Sequence, residues 1–153
     1  MSSQRGMSSG HHEEMMRAAL DVSRAALPGC LPNPPVGCLI VLDGVVLARG
    51  YTNPPGRPHA EAMALQCLTG PTATAGTSVY VTLEPCSFDG RTPSCAEALV
   101  AARVSRVFVG IIDPHPRNRG RGIEILRAGG IEVEVGIVAS EIEAALSPYL
   151  IRE

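Results

Sequence analysis

The 153-residue sequence predicts an α/β fold, a three-layer α-β-α sandwich around a mixed central sheet. Three observations predict it. Helix-like and strand-like patterns alternate along the chain, Asp43-Gly44 sits between two apolar runs, and every later strand is separated from the next by a helix. A hairpin makes antiparallel neighbours and a strand–helix–strand crossover makes parallel ones, so the sheet must be mixed.

Residues 12–27 carry a helical apolar spacing (Met15, Met16, Ala19, Leu20, Val22, Ala26) that Pro28 and Gly29 stop. Strands follow over 36–42 and 45–48, joined by Asp43-Gly44, because a two-residue hairpin loop wants positive φ at both positions. A helix fits 59–68, just after Pro58. Residues 79–83 form a short β-branched run and read as a buried strand. A helix over 93–102 has Pro93 in its first turn. A strand over 104–112, a helix over 123–128, a strand over 131–135 and a closing helix over 140–146 complete the order α-β-β-α-β-α-β-α-β-α.

One core is all that this length supports. Residues 1–10 are polar and Ser/Gly-rich, and read as a disordered tail ahead of a single domain over 11–153. They hold no apolar stretch, so no signal peptide is expected, and no run approaches the roughly 20 apolar residues of a membrane span. Formal net charge is −2, with all thirteen basic side chains arginine. Such a balance speaks against a polynucleotide footprint. The five cysteines are an odd number without a secretory signal, which fits a reducing cytoplasm rather than a disulfide framework. Cys38 and Cys67 read as small core residues.

Three segments carry chemistry: Pro58-His59-Ala60-Glu61, Glu84-Pro85-Cys86, and Cys95 in Arg91-Thr92-Pro93-Ser94-Cys95. One imidazole and two thiolates supply three ligands for tetrahedral Zn²⁺ and leave the fourth position for water. Zinc lowers the pKa of that water toward about 7. His59 and Cys95 each fall at a predicted helix start, where N–H groups stabilise a thiolate. Glu61 need not bind metal and can carry a proton between water, ring nitrogen and leaving ammonia. Taken singly, these residues read as buried cysteines and a surface histidine. As an ordered set they follow the zinc deaminase signature of His-x-Glu, Pro-Cys and a second cysteine, although the cysteine spacing is longer than usual.

With Pro32-Asn33-Pro34-Pro35-Val36-Gly37-Cys38, Tyr80 to Ser87, Gly90-Arg91-Thr92-Pro93, Asp113-Pro114, Gly120-Arg121-Gly122 and Ala128 to Ile131, the chain resembles the deaminase domain of the riboflavin-biosynthesis deaminase/reductases. That is a branch of the cytidine deaminase superfamily. The resemblance covers nearly everything after the tail. It implies a cytidine deaminase-like fold, Zn²⁺ on His59, Cys86 and Cys95, and Glu61 as the catalytic proton carrier. It also implies substrate contacts from Asn33, Ala60, Arg91 and the positions of Phe88 and Thr52. Asn33 would hydrogen-bond the ring, and Arg91 would meet the polar tail.

Departures stand beside the matches. The family keeps histidines where this chain has Phe88 and Thr52, and an asparagine where it has His115. Phenyl for imidazole replaces a hydrogen-bonding ring with an apolar stacking face. No reductase half is recognisable. Two readings therefore stay open: a deaminase of the diaminohydroxy-ribosylaminopyrimidine phosphate, or a same-branch deaminase of another pyrimidine or purine-like base. Nucleic-acid editing fits poorly, since a cationic groove with stacking aromatics is missing from a composition of two Phe, three Tyr and no Trp. A purely structural zinc module would not need Glu61. The expected partner is a small-molecule aminopyrimidine, without nucleic acid or membrane, and the small size is compatible with a homo-oligomer.

Overall fold

Asp43 and Gly44 take positive φ of 51° and 78°, the pair of left-handed conformations that a tight hairpin demands. This turn appears in a computed structural model that describes residues 9–68, 73–88 and 93–150. It joins β1 (Gly37–Leu42) to β2 (Val45–Tyr51). The remaining strands are β3 (Ser78–Leu83), β4 (Arg106–Ile111) and β5 (Glu132–Val135). Sheet order is β2-β1-β3-β4-β5. β1 runs antiparallel to both β2 and β3, whereas β3, β4 and β5 are parallel. The mixed sheet expected from the hairpin and the crossovers is present.

Helices α1 (Ser9–Ser23), α2 (Ala60–Gln66), α3 (Cys95–Ala101), α4 (Arg121–Ala128) and α5 (Ala139–Leu146) form the outer layers. Period-2 alternation in the central strands divides the core in two. Val79 and Val81 of β3, with Val107 and Val109 of β4, pack with Ala60, Leu99 and Leu126 of α2, α3 and α4. Tyr80 and Phe108 point to the other face, against Met16 and Ala19 of α1 and Ile142 of α5. Strand β3 is buried along its whole length, as a central strand covered on both faces should be.

Several boundaries differ from the sequence reading. The first helix begins at Ser9 rather than 12, so two residues assigned to the tail are helical, while residues 1–8 lie outside the described ones. It ends at Ser23, followed by a 3-10 turn, Arg24–Ala26. β2 continues past Ala48, with Gly50 and Tyr51 pairing to Cys38 and Gly37. The sequence reading ends this strand at Ala48, yet Gly50 sits in it with α2 crossing against it. A Cβ there would stand 2.0 Å from the Ala60 carbonyl oxygen. Cys38 is buried as expected, but Cys67 is exposed, because α2 ends just before it. All five cysteines are free. Among the described residues no helix is long and apolar enough to cross a membrane.

Candidate active site

The site assembles where two short helices start. His59 is the extended residue that precedes α2, and Ala60 and Glu61 form its first turn, both buried. Cys95 is the first residue of α3, whose start is capped by Ser94 Oγ accepting from the Glu97 N–H at 3.2 Å. Cys86 lies beyond the end of β3. The Cys95 N–H donates to its Sγ at 3.2 Å, and the Ala96 N–H donates to its carbonyl at 3.1 Å. One N–H donor at a helix start thus faces the Cys86 sulfur, the setting that favours thiolate.

His59 Nδ1 stands 3.8 Å from Cys86 Sγ and 3.4 Å from Cys95 Sγ. All three donor atoms lie within 4.8 Å of one another. Zn–S bonds of about 2.3 Å and Zn–N bonds of about 2.0–2.1 Å at tetrahedral angles separate such atoms by roughly 3.5–3.8 Å. The residues therefore fit zinc in both chemistry and spacing. Without metal, the Cys86 thiol is pulled down to about 4, chiefly by a hydrogen bond from Cys95 and, against its burial, also by His59. Cys95 is held up as a thiol by that same hydrogen bond and by burial.

Glu61 is 4 % exposed. Burial first, and the Cys86 thiolate second, push its carboxyl up to about 7. It opens on a cavity of about 320 Å³ shared with His59, Ala60, Cys86, Asn33, Thr52 and Phe88. Seven of the nine residues singled out from the sequence thus line one space. Cys95 does not line it and sits behind, 6 % exposed. Arg91 lies outside the described residues.

Thr52 is tied into the wall. Its Oγ1 accepts from the Val36 N–H at 2.9 Å, and its own N–H donates to the Val36 carbonyl at 3.2 Å. Phe88 stands 39 % exposed at the rim, with the Arg117 guanidinium 4.3 Å above its ring. The His115 ring lies 6.5 Å from Phe88 and also lines the cavity. Its Nδ1 accepts from the Arg117 N–H at 3.0 Å, so the neutral ring carries its proton on Nε2.

Sequence reasoning assigned no role to four further residues: Glu84, Asp113, Tyr149 and Leu150 of the cavity wall. Glu84 is a buried clamp. Its Oε1 accepts from the N–H groups of Asp113 and Gly120 at 3.1 and 2.9 Å, and its Oε2 from that of Ile123 at 3.1 Å. Burial raises its pKa, and these three donors pull the other way. Asn118 Nδ2 adds bonds to the Pro85 carbonyl at 3.2 Å and to Asp113 Oδ2 at 3.3 Å. The loop after β4 is thereby fastened to the segment that carries Cys86. A buried glutamate just after a β-branched strand was the available signal. Nothing local marks Tyr149 or Leu150.

Residues 9–111 match the family model for the cytidine and deoxycytidylate deaminase zinc-binding region. The chain is 44% identical over 135 residues to riboflavin biosynthesis protein RibD of Chlamydia pneumoniae, covering 88% of this chain and 35% of that protein. The solved structure of Acinetobacter baumannii RibD superposes with TM-score 0.86 at 40% identity, over 93% of this chain and 40% of that one. A dCMP deaminase from cyanophage S-TIM5, 23% identical with TM-score 0.69 over 84% of this chain and 98% of that one, shares the fold. The chain spans about a third of the length of the curated relatives it matches.

Proposed function

The chain belongs to the zinc-binding cytidine and deoxycytidylate deaminase family, and on that premise we propose that it hydrolyses the exocyclic amino group of the diaminohydroxy-ribosylaminopyrimidine phosphate of riboflavin biosynthesis. One observation carries the reading: a buried carboxyl, Glu61, opens on the same cavity as His59 and Cys86, with Cys95 completing the donor set behind. The RibD relatives supply the substrate class.

His59, Cys86 and Cys95 would hold zinc, which supplies a Lewis acid that makes water nucleophilic at neutral pH. Glu61 takes a proton from the attacking water at one carboxyl oxygen. It passes that proton to the ring nitrogen beside the amino-bearing carbon, then takes the remaining proton of the hydroxyl added to that carbon and delivers it to the departing amine. The carbon–nitrogen bond breaks and ammonia leaves, with a carbonyl in its place. Asn33 and Ala60 orient the ring, while Thr52, Phe88 and Arg91 face the rest of the substrate. Ala60, buried at the start of α2, lets the ring approach closely.

A second reading has its own observation. Phe88 and Thr52 replace two histidines of the family pattern, and Thr52 spends its hydroxyl lone pair on Val36. A same-branch deaminase of another pyrimidine or purine-like base would need such a changed wall. Ammonia release by the zinc-loaded protein separates the two. Turnover of the ribosylaminopyrimidine phosphate supports the first, and silence there with turnover of cytosine, cytidine or guanine establishes the second. A small molecule rather than a polynucleotide is the proposed partner, consistent with net charge −2. Free cysteines fit a cytoplasmic setting. Exposed Leu42, Val45 and Leu47 at the hairpin and edge strand fit a homo-oligomer.

A further inference from the structure

Asn118 is fully buried, 0 % exposed, on the segment between β4 and α4. Its side-chain Nδ2 faces three oxygens. They are the Pro85 carbonyl at 3.2 Å, Asp113 Oδ2 at 3.3 Å and, at the edge of hydrogen-bond range, the Glu84 carbonyl at 3.5 Å. Carbonyl and carboxylate oxygens accept, so the amide must turn its nitrogen to them. Its own Oδ1 meets no hydrogen-bond partner among the described residues. A side chain that only filled space would bury no such oxygen, since leucine has the same branching without it. The position is therefore occupied for its N–H groups.

What they hold is the approach to a metal donor. The Pro85 carbonyl and the Cys86 N–H belong to one planar peptide group, so a bond to that oxygen fixes the plane from which the Cys86 side chain departs. β3 has already ended at Leu83, and proline brings no N–H with which to anchor the segment. The first turn of α4 presses on the same oxygen, because a Cβ at Gly122 would stand 1.9 Å from it. On its other side Cys86 is held by the start of α3, through the Ala96 and Cys95 N–H groups. The second N–H of Asn118 goes to Asp113, which lines the cavity and whose Oδ1 accepts from the His115 N–H at 3.0 Å. One amide thus ties the peptide before a metal donor to a carboxylate of the cavity lining.

We propose that Asn118 is a positioning residue of the metal centre, setting Cys86 through the Pro85–Cys86 peptide and holding Asp113 in register with it. The proposal rests on the donor set assigned above.

The test measures metal binding in the wild type, Asn118→Leu and Asn118→Ala. Zinc affinity is read by competition with a chromophoric chelator, and ligand geometry by the visible absorption of the Co²⁺-loaded proteins. Circular dichroism of the same samples checks folding. Zinc affinity should fall by about tenfold in both variants, the lower end of what outer support of a metal ligand contributes, and the Co²⁺ bands should shift with it. Wild-type zinc affinity in a folded variant overturns the proposal, because a role confined to folding would leave the donors of the folded protein in place. If Asn118→Leu does not fold, Asn118→Ala decides by the same readings. Failure of both to fold also overturns it, since the fold itself then needs Asn118. A wild type that takes up neither zinc nor Co²⁺ overturns the donor set, and the positioning role falls with it.

Discussion

The two walls of the zinc cavity are built differently. The metal wall consists of His59, Glu61, Cys86 and Cys95, set by the starts of α2 and α3 and by the strand end of β3. Three of its four members have backbone positions that a helix start dictates. The rest of the lining includes Phe88, His115 and Thr52 on connecting segments and Tyr149 in a 3-10 turn, and Phe88 stands 39 % exposed. One wall is positioned by the fold, the other by loops clipped onto it. That difference suits an enzyme whose bond-breaking geometry must be rigid while its substrate reading can change. The clip between the walls is Glu84, whose carboxylate binds three backbone N–H groups of the loop and of α4.

Breaking the metal wall should have the largest effect. His59→Ala should lose zinc and reduce activity on the order of 10³-fold or more, because several kcal/mol of Lewis-acid stabilisation go with the ion. Metal analysis beside ammonia release checks it. A variant that keeps zinc and activity would mean that the donor set is misassigned.

Breaking the clip comes next. Glu84→Ala leaves three N–H groups without their acceptor, two of them at the start of α4, and should destabilise the chain by roughly 2–4 kcal/mol. Denaturant titration reads this directly. Activity should fall with it, since the loop bearing Asp113 and His115 is no longer held beside Cys86. A stability change under about 0.5 kcal/mol would show that water satisfies these groups.

Changing the loop wall is milder. Phe88→Ala removes the ring under Arg117 from an exposed rim position, so stability should stay within about 0.5 kcal/mol. KM for the proposed substrate should rise by up to about tenfold, with kcat nearly unchanged, because Phe88 lines the exposed rim of the cavity and is not among the metal donors. A drop in kcat at constant KM would place Phe88 with the metal wall instead.

The smallest effect lies far from both walls. His12, 9 % exposed, has Nδ1 2.6 Å from the Tyr80 hydroxyl. Burial first, and the Arg106 charge second, hold its pKa below the ordinary 6.5. Below that value the unfolded chain takes up a proton that the folded chain resists. His12 therefore costs stability as pH falls from 6.5 toward its folded pKa, and contributes a constant term above 6.5. Denaturation midpoints between about pH 7.5 and about pH 5 should slope less in His12→Gln than in the wild type. Parallel slopes would show that His12 does not contribute to the pH dependence of stability.

The same contrast explains what could be read from sequence. Asp43-Gly44 announced its hairpin because two positive φ values have few other uses. The β-branched runs of β3 and β4 announced buried parallel strands. His59, Glu61, Cys86 and Cys95 were legible because metal chemistry restricts residue type and helix starts restrict spacing. The end of β2 was not legible, since Gly50 and Tyr51 continue it by pairing with Cys38 and Gly37 while α2 lies against Gly50, contacts remote from the local strand pattern. Cys67 misled in the same way, as apolar company along the chain did not become burial. Tyr149 and Leu150 reach the cavity only through the packing of the final turn. The stack of Arg117 on Phe88 joins residues 29 positions apart, and no local rule pairs them.

The most direct test of the account is ammonia release by zinc-loaded Glu61→Gln against wild type, with zinc content measured in the same samples. The Glu61→Gln protein should hold full zinc and lose rate on the order of 10³-fold, since glutamine keeps the shape of the side chain but cannot carry the proton. Wild-type turnover in a zinc-replete Glu61→Gln protein would contradict it, and the proton would have to travel by another group of the cavity.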